Sequence, residues 1–358
     1  MEPKLAGAAR IVLAVPRWLL KIFLLRPVVG LARAVSRRLD ALLAADFQAR
    51  FVDGKPDRER LARLEESMGR VLRTGSALEK QELFGWVEDR AIQDQHTVAY
   101  AENVFEWQRG SIVAHKGTLE GLRILELGPG HSIVPGLLLY AHGAQSYMGA
   151  DYFPIAGKAS SLYRRTRDHL ARRPVLVPHP DLEKARERAL ARFDEAVTLS
   201  GEEAVFKAGL VEWRHPVDAA SLPFPDASFD VVISNAAFEH FLDPVAAARE
   251  QARVLAKGGV GIHQVDLRDH RDFSKPLDFL RYEKNEWRRL NADMVCYTNR
   301  VRRKDLEKAF SETGLAVEVA QPTETAPVAP DVRSQFHAEF RDRDDLETLG
   351  VFFVLRKR

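Results

Sequence analysis

At Leu122 the chain changes rhythm, and that change restricts the fold more than any other feature. From there on, short apolar runs alternate with helical text, the pattern of βαβ units that build a parallel sheet. Strands are expected at 123–127, 146–151, 211–217, 229–234, 259–266, 315–320 and 351–355. The first five have helical material between them. Between the last two lie Pro322, Pro327 and Pro330 and a charged stretch, so 321–347 reads as an insertion before a final antiparallel strand. The interval 154–209 is longer than an ordinary crossover and reads as a second insertion, beside the ligand-binding end of the sheet. Residues 119–358 are therefore expected to form one α/β domain.

Two other regions precede it. Residues 49–118 are helical in pattern and are expected to cap the domain. Residues 1–48 are apolar, but Arg17, Lys21, Arg26, Arg33, Arg37 and Arg38 interrupt them, so no uncharged run approaches the roughly 20 residues a spanning helix needs. An amphipathic basic segment of this kind suits either a membrane interface, through residues 11–43, or docking on a protein surface. The formal net charge of +2 gives no reason to expect nucleic acid as a partner. A single cysteine, Cys296, with no Cys/His cluster at ligand spacing, fits a reducing cytoplasm and predicts no metal.

The chemistry begins where the first strand enters Glu126-Leu127-Gly128-Pro129-Gly130-His131-Ser132. Glycines at such a turn let a ligand approach the backbone, and the following helix start offers free N–H groups. A dinucleotide fingerprint would have its third glycine where Ile133 stands. Glu126, two positions before the first glycine, suits a cationic amino-acid group better than a pyrophosphate. At the end of the second strand, Asp151 is placed to accept ribose hydroxyls, or to cap the residues after Tyr152.

Further on, "DAASLPFPDASFDVVISNAAFEHFLDP" and "ARVLAKGGVGIH" follow "ILELGPG" in order. Together these resemble the class I S-adenosylmethionine-dependent methyltransferases, especially the quinone-biosynthesis group, over about 122–265. The resemblance implies a Rossmann-like seven-stranded sheet of order 3-2-1-4-5-7-6 and S-adenosylmethionine as cofactor. It implies that Glu126 and the Gly128, Pro129, Gly130 and His131 turn hold the methionine moiety. Asp151 with Tyr152 would take the ribose, Asp218 with Ala219 the adenine, and Asn235 would face the methionine end. Ser132 stands where the family has a third glycine.

For the acceptor, His240 after the fourth strand and His263, Asp266 and His270 around the end of the fifth, where ligands of open parallel sheets bind, are the candidate bases. The stretch 266–303, rich in aromatic and basic residues, resembles more loosely that of bacterial methyltransferases of polysaccharide and glycolipid assembly. O-methylation of a saccharide or lipid-linked glycan at the inner face of a membrane is the expectation. A small quinone-like metabolite as acceptor and a non-catalytic S-adenosylmethionine-binding module are the alternatives.

Overall fold

The computed structural model describes residues 98–130, 132–152, 156–172, 182–290 and 298–358. The expectations for the lead 1–48, for the cap up to residue 97, for His131 and for Cys296 lie outside the described residues. The chain divides into two units, Met1–Pro56 with Glu283–Asp293, and Asp57–Tyr282 with Met294–Arg358. The described part of the first is 283–290, a short helix Lys284–Leu290 whose start is held by Glu283, the carboxylate of which accepts the Asn285 N–H at 2.8 Å. The sheet belongs entirely to the second unit.

The described part of this second unit begins with α1 (Val98–Lys116), then β1 (Arg123–Leu127), α2 (Val134–Ala141) and β2 (Ser146–Ala150). Two helices, α3 (Ser160–Arg172) and α4 (Leu182–Ala196), and a small hairpin, β3 (Val197–Thr198) with β4 (Val205–Phe206), fill the first long interval. Then come β5 (Val211–Arg214), β6 (Phe229–Asn235), α5 (Pro244–Val254) and β7 (Leu255–Asp266). Helix α6 (Arg303–Glu312) leads to β8 (Leu315–Thr325), two short helices and β9 (Thr348–Lys357).

The sheet runs β5-β2-β1-β6-β7-β9-β8. With the hairpin strands set aside, that is the expected order 3-2-1-4-5-7-6. β9 is antiparallel to both β7 and β8, and the other pairs are parallel. Central strands buried on both faces need apolar residues at successive positions, which is why Ile124 and Leu125, and Val231, Val232 and Ile233, are all buried. Ile124, Tyr147, Val231 and Ile262 face a core shared with α1, α2 and α4. Leu125, Met148, Val232 and Val265 face a core shared with α5 and α6.

The boundaries depart from expectation where local chemistry is overridden. The third large strand ends at Arg214, ahead of Pro216, which has no N–H to give a ladder. β7 starts at Leu255 and not at 259, because Leu255 pairs with Phe229. β8 continues past 320 to Thr325 despite Pro322, since it is an edge strand and pairs with β9 as far as Thr325 and Thr348. Asp243-Pro244 starts α5: the Asp243 carboxylate accepts the Ala246 N–H at 2.9 Å, and proline occupies the first helical position.

Candidate functional site

The glycine turn after β1 is held from two sides. Gly128 has φ +69° and donates its N–H to the Ala150 carbonyl at 2.8 Å, tying the turn to the end of β2. A Cβ there would lie 2.9 Å from the Cβ of Ala237, so this glycine also admits the segment after β6. Gly130 has φ +72°, and a Cβ on it would meet open space. Conformation and close approach require the first glycine; conformation alone requires the second.

Glu126, one residue from the end of β1, is buried at 3% exposure on the face toward α1 and α2. The Gln108 amide donates to it at 2.6 Å, and the Tyr147 hydroxyl donates to its other oxygen. The Tyr147 ring lies where a side chain on Gly136 would be: a Cβ at Gly136 would stand 2.1 Å from a ring carbon. A glycine inside an otherwise apolar helix is the sequence trace of that approach. Burial pushes the Glu126 carboxyl up to about 7, against the pull of Tyr147 and Gln108, and nearby Asp151 pushes the same way.

That elevation has a stability consequence. The folded value, about 7, exceeds the ordinary 4.5, so the folded chain binds more protons in between, and stability falls as pH rises through that window. At about 1.4 kcal/mol per pKa unit this one group costs on the order of 3 kcal/mol above pH 7. Relative to wild type, Glu126→Gln should therefore gain about that much between pH 4.5 and pH 8, measured by urea unfolding. A difference that does not change with pH would mean that Glu126 ionises normally.

The other expected cofactor residues stand at the same end of the sheet. Asp151 follows β2, buried, with its N–H on the Arg214 carbonyl and its own carbonyl accepting from Val217. Tyr152 follows it, half-buried. Asp218 is exposed, and one of its oxygens accepts the Ala220 N–H at 2.8 Å, which shapes its turn. Ala219 packs against the second core. Asn235 is the last residue of β6, partly exposed, followed by Ala236 at φ +50°, a left-handed conformation that turns the chain toward Gly128.

The four candidate bases separate into two groups. His263 is fully buried between Ser234 Oγ (2.8 Å) and the Gln251 amide (2.7 Å), with Phe310 stacked beside it. The Gln251 N–H donates to Nε2, so Nδ1 carries the proton and donates to Ser234. Burial pulls its protonation down to about 3. This histidine belongs to the packing of the sheet. His240, His270 and Asp266 are together instead. The His240 and His270 rings are 5.0 Å apart, and His270 Nε2 lies 3.4 Å from the Asp266 carboxylate. Burial alone would raise the Asp266 carboxyl, but His270 and Arg268 hold it far below the usual range, so it stays ionised.

Several residues here escaped the sequence reading or changed meaning. Glu239, between Phe238 and His240, is a buried carboxylic acid whose protonation is pushed well above the ordinary range by burial, then by Asp266. Asn299 donates to the carbonyls of Phe238 and Phe241 at 2.8 and 2.9 Å and so clamps that turn. Arg302, fully buried, donates to the carbonyls of Leu267 and Thr348, both at 2.5 Å, and of Leu346 at 3.3 Å. The "TNRVR" text, read as sugar-binding in character, is in these two residues spent on holding the loops around the site. Phe273, in contrast, is 43% exposed, with the Arg268 guanidinium 4.7 Å from its ring centre and His270 5.4 Å away.

Comparison with known proteins gives one family match, to the model described as a methyltransferase domain, over residues 186–262. No curated protein matches the chain. Among solved structures, a putative methyltransferase of Haloferax volcanii, in complex with the Trm112 methyltransferase activator, is 17% identical, covering 81% of this chain and 96% of its own, with a TM-score of 0.37. An S-adenosylmethionine-dependent methyltransferase of Mesorhizobium loti is 17% identical, covering 72% and 100%, at 0.38. The YcgJ protein of Bacillus subtilis is 18% identical, covering 71% and 99%, at 0.37. Such distant likenesses carry no argument about substrate. Residues 186–262 thus match a methyltransferase domain, and the 3-2-1-4-5-7-6 sheet behind the glycine turn is the one implied by the resemblance to the class I S-adenosylmethionine-dependent methyltransferases.

Proposed function

We propose that this methyltransferase methylates a hydroxyl of a saccharide or lipid-linked glycan. Glu126 and the turn from Gly128 through His131 receive the methionine portion of S-adenosylmethionine. Asp151 and Tyr152 receive the ribose, and Asp218 with Ala219 receives the adenine. Asn235 borders the methyl end. S-adenosylmethionine would supply the methyl group to the acceptor oxygen, with the carbon–sulfur pair retained by the departing S-adenosylhomocysteine, and His240 would take the hydroxyl proton. Methyl transfer from a sulfonium is mostly a matter of placement, but an alcohol also has to lose its proton.

The observation that carries this reading is the row His240, His270 and Asp266, which passes from a half-buried ring to an ionised carboxylate, with exposed Phe273 beside it. A carboxylate behind the imidazoles favours the protonated ring that proton abstraction creates. An exposed aromatic face backed by a guanidinium is a surface on which a sugar ring can stack its C–H face. Phe273→Ala should raise the acceptor KM about two- to tenfold while kcat and cofactor affinity hold, from the usual worth of an aromatic contact.

The reading is tested with isotope-labelled S-adenosylmethionine on fractionated envelope lipids and glycans, followed by mass spectrometry. A methyl ether on a glycan is expected. Label confined to quinone-like small molecules would replace the acceptor class, and label on nitrogen or carbon would remove the need for His240.

A further inference from the structure

Helix α1 buries Ala101, Phe105, Gln108 and Ile112, a single stripe spaced as a helix face requires. Three of the four are apolar. Gln108 is the exception, and it is fully buried. A polar residue in a core stripe is destabilising unless its groups are satisfied, so its partners matter.

Its amide nitrogen donates to one Glu126 oxygen at 2.6 Å, and Tyr147 donates to the other. The amide is thereby oriented: a carboxylate accepts, so the nitrogen must face it and Gln108 Oε1 must point away. That Oε1 is buried and has no hydrogen-bond partner among the described residues. Among the described residues, the charged or titratable neighbours of Glu126 are Tyr147, Asp151 and Tyr100, none of them a cation. An orphaned amide oxygen thus belongs to the side chain that holds the Glu126 carboxylate, two residues before the glycine turn. A buried acceptor left unpaired is destabilising, and a cationic donor is the group that would relieve it.

We infer that Gln108 Oε1 and Glu126 together seat the α-ammonium of the cofactor's amino-acid portion. This rests on the reading that Glu126 lies at the methionine end. It makes α1, which precedes the sheet and the matched domain, part of the cofactor site. Gln108 has two tasks there: its N–H orients the carboxylate, and its oxygen accepts directly from the ligand.

The test compares S-adenosylhomocysteine with its desamino analogue, which lacks only the ammonium, by calorimetric competition on the full chain. Wild type should prefer the amino compound by about ten- to hundredfold, the worth of hydrogen bonds to a charged group. Gln108→Leu, which keeps the volume, should cut that preference about tenfold and leave affinity for the analogue unchanged. If the variant retains the full preference, or loses both ligands equally, the inference fails while the cofactor reading stands. If wild type binds S-adenosylhomocysteine with no preference over the analogue, there is no ammonium seat. If wild type binds neither ligand, the placement of the cofactor itself is wrong.

Discussion

His240→Ala should lower kcat for methyl transfer by about 10²–10⁴, the usual contribution of a positioned general base, and leave S-adenosylhomocysteine affinity within about twofold of wild type. The expectation follows from where the ring stands. It lies in the turn Phe238–His240, which Asn299 clamps by two hydrogen bonds, and its neighbour His270 is paired with Asp266. The titratable groups around that row include Asp266, Arg268 and the buried acid Glu239. Asp266→Asn removes the carboxylate that pairs with His270, and its activity should fall less than that of His240→Ala. Should His240→Ala keep activity within about threefold while His270→Ala loses it, the proton goes to His270 instead.

Arg302→Leu should destabilise the folded chain by roughly 3–5 kcal/mol, the usual cost of removing one partner from a buried charged network. Three carbonyls, those of Leu267, Leu346 and Thr348, would lose their donor where water does not reach. Burial lowers the guanidinium only to about 10, so it remains charged at neutral pH and its hydrogen bonds are charge-assisted. Leu267 begins the segment that carries Arg268 and His270, so this arginine fixes the start of the loop on which the proposed base row depends. Urea unfolding would show a lower midpoint with an unchanged slope. A loss below about 1 kcal/mol would mean that the carbonyls find other donors.

The contrast between Arg302 and Phe273 shows where sequence reading stopped. Both lie in a stretch whose aromatic and basic residues suit sugar recognition, and composition gave no means of telling them apart. Arg302 is consumed by three carbonyls, whereas Phe273 is open to solvent. The histidines divide in the same way. His240 and His263 are both candidate bases by sequence, yet one is half-buried in a turn beside a second imidazole and the other is locked within β7 between Ser234 and Gln251. Whether a side chain is free to act depends on neighbours distant in sequence: 29 residues separate Ser234 from His263, and 61 separate Phe238 from Asn299.

What the sequence determined by itself is what short-range periodicity and turn chemistry can encode. Apolar runs alternating with helices dictated the sheet, Gly128 and Gly130 the turn, and Glu126, Asp151 and Asp218 the carboxylates at or after the carboxyl ends of its strands. Only the tertiary structure decided the state of those groups. Glu126 is a carboxylate by sequence, but packing buries it against Gln108 and Tyr147, with Gly136 giving way to the tyrosine ring. Burial raises its protonation to about 7 and leaves an amide oxygen unpaired beside it. Desolvation and hydrogen-bond accounting belong to the whole fold, because they depend on which surfaces close over a group and not on its neighbours along the chain.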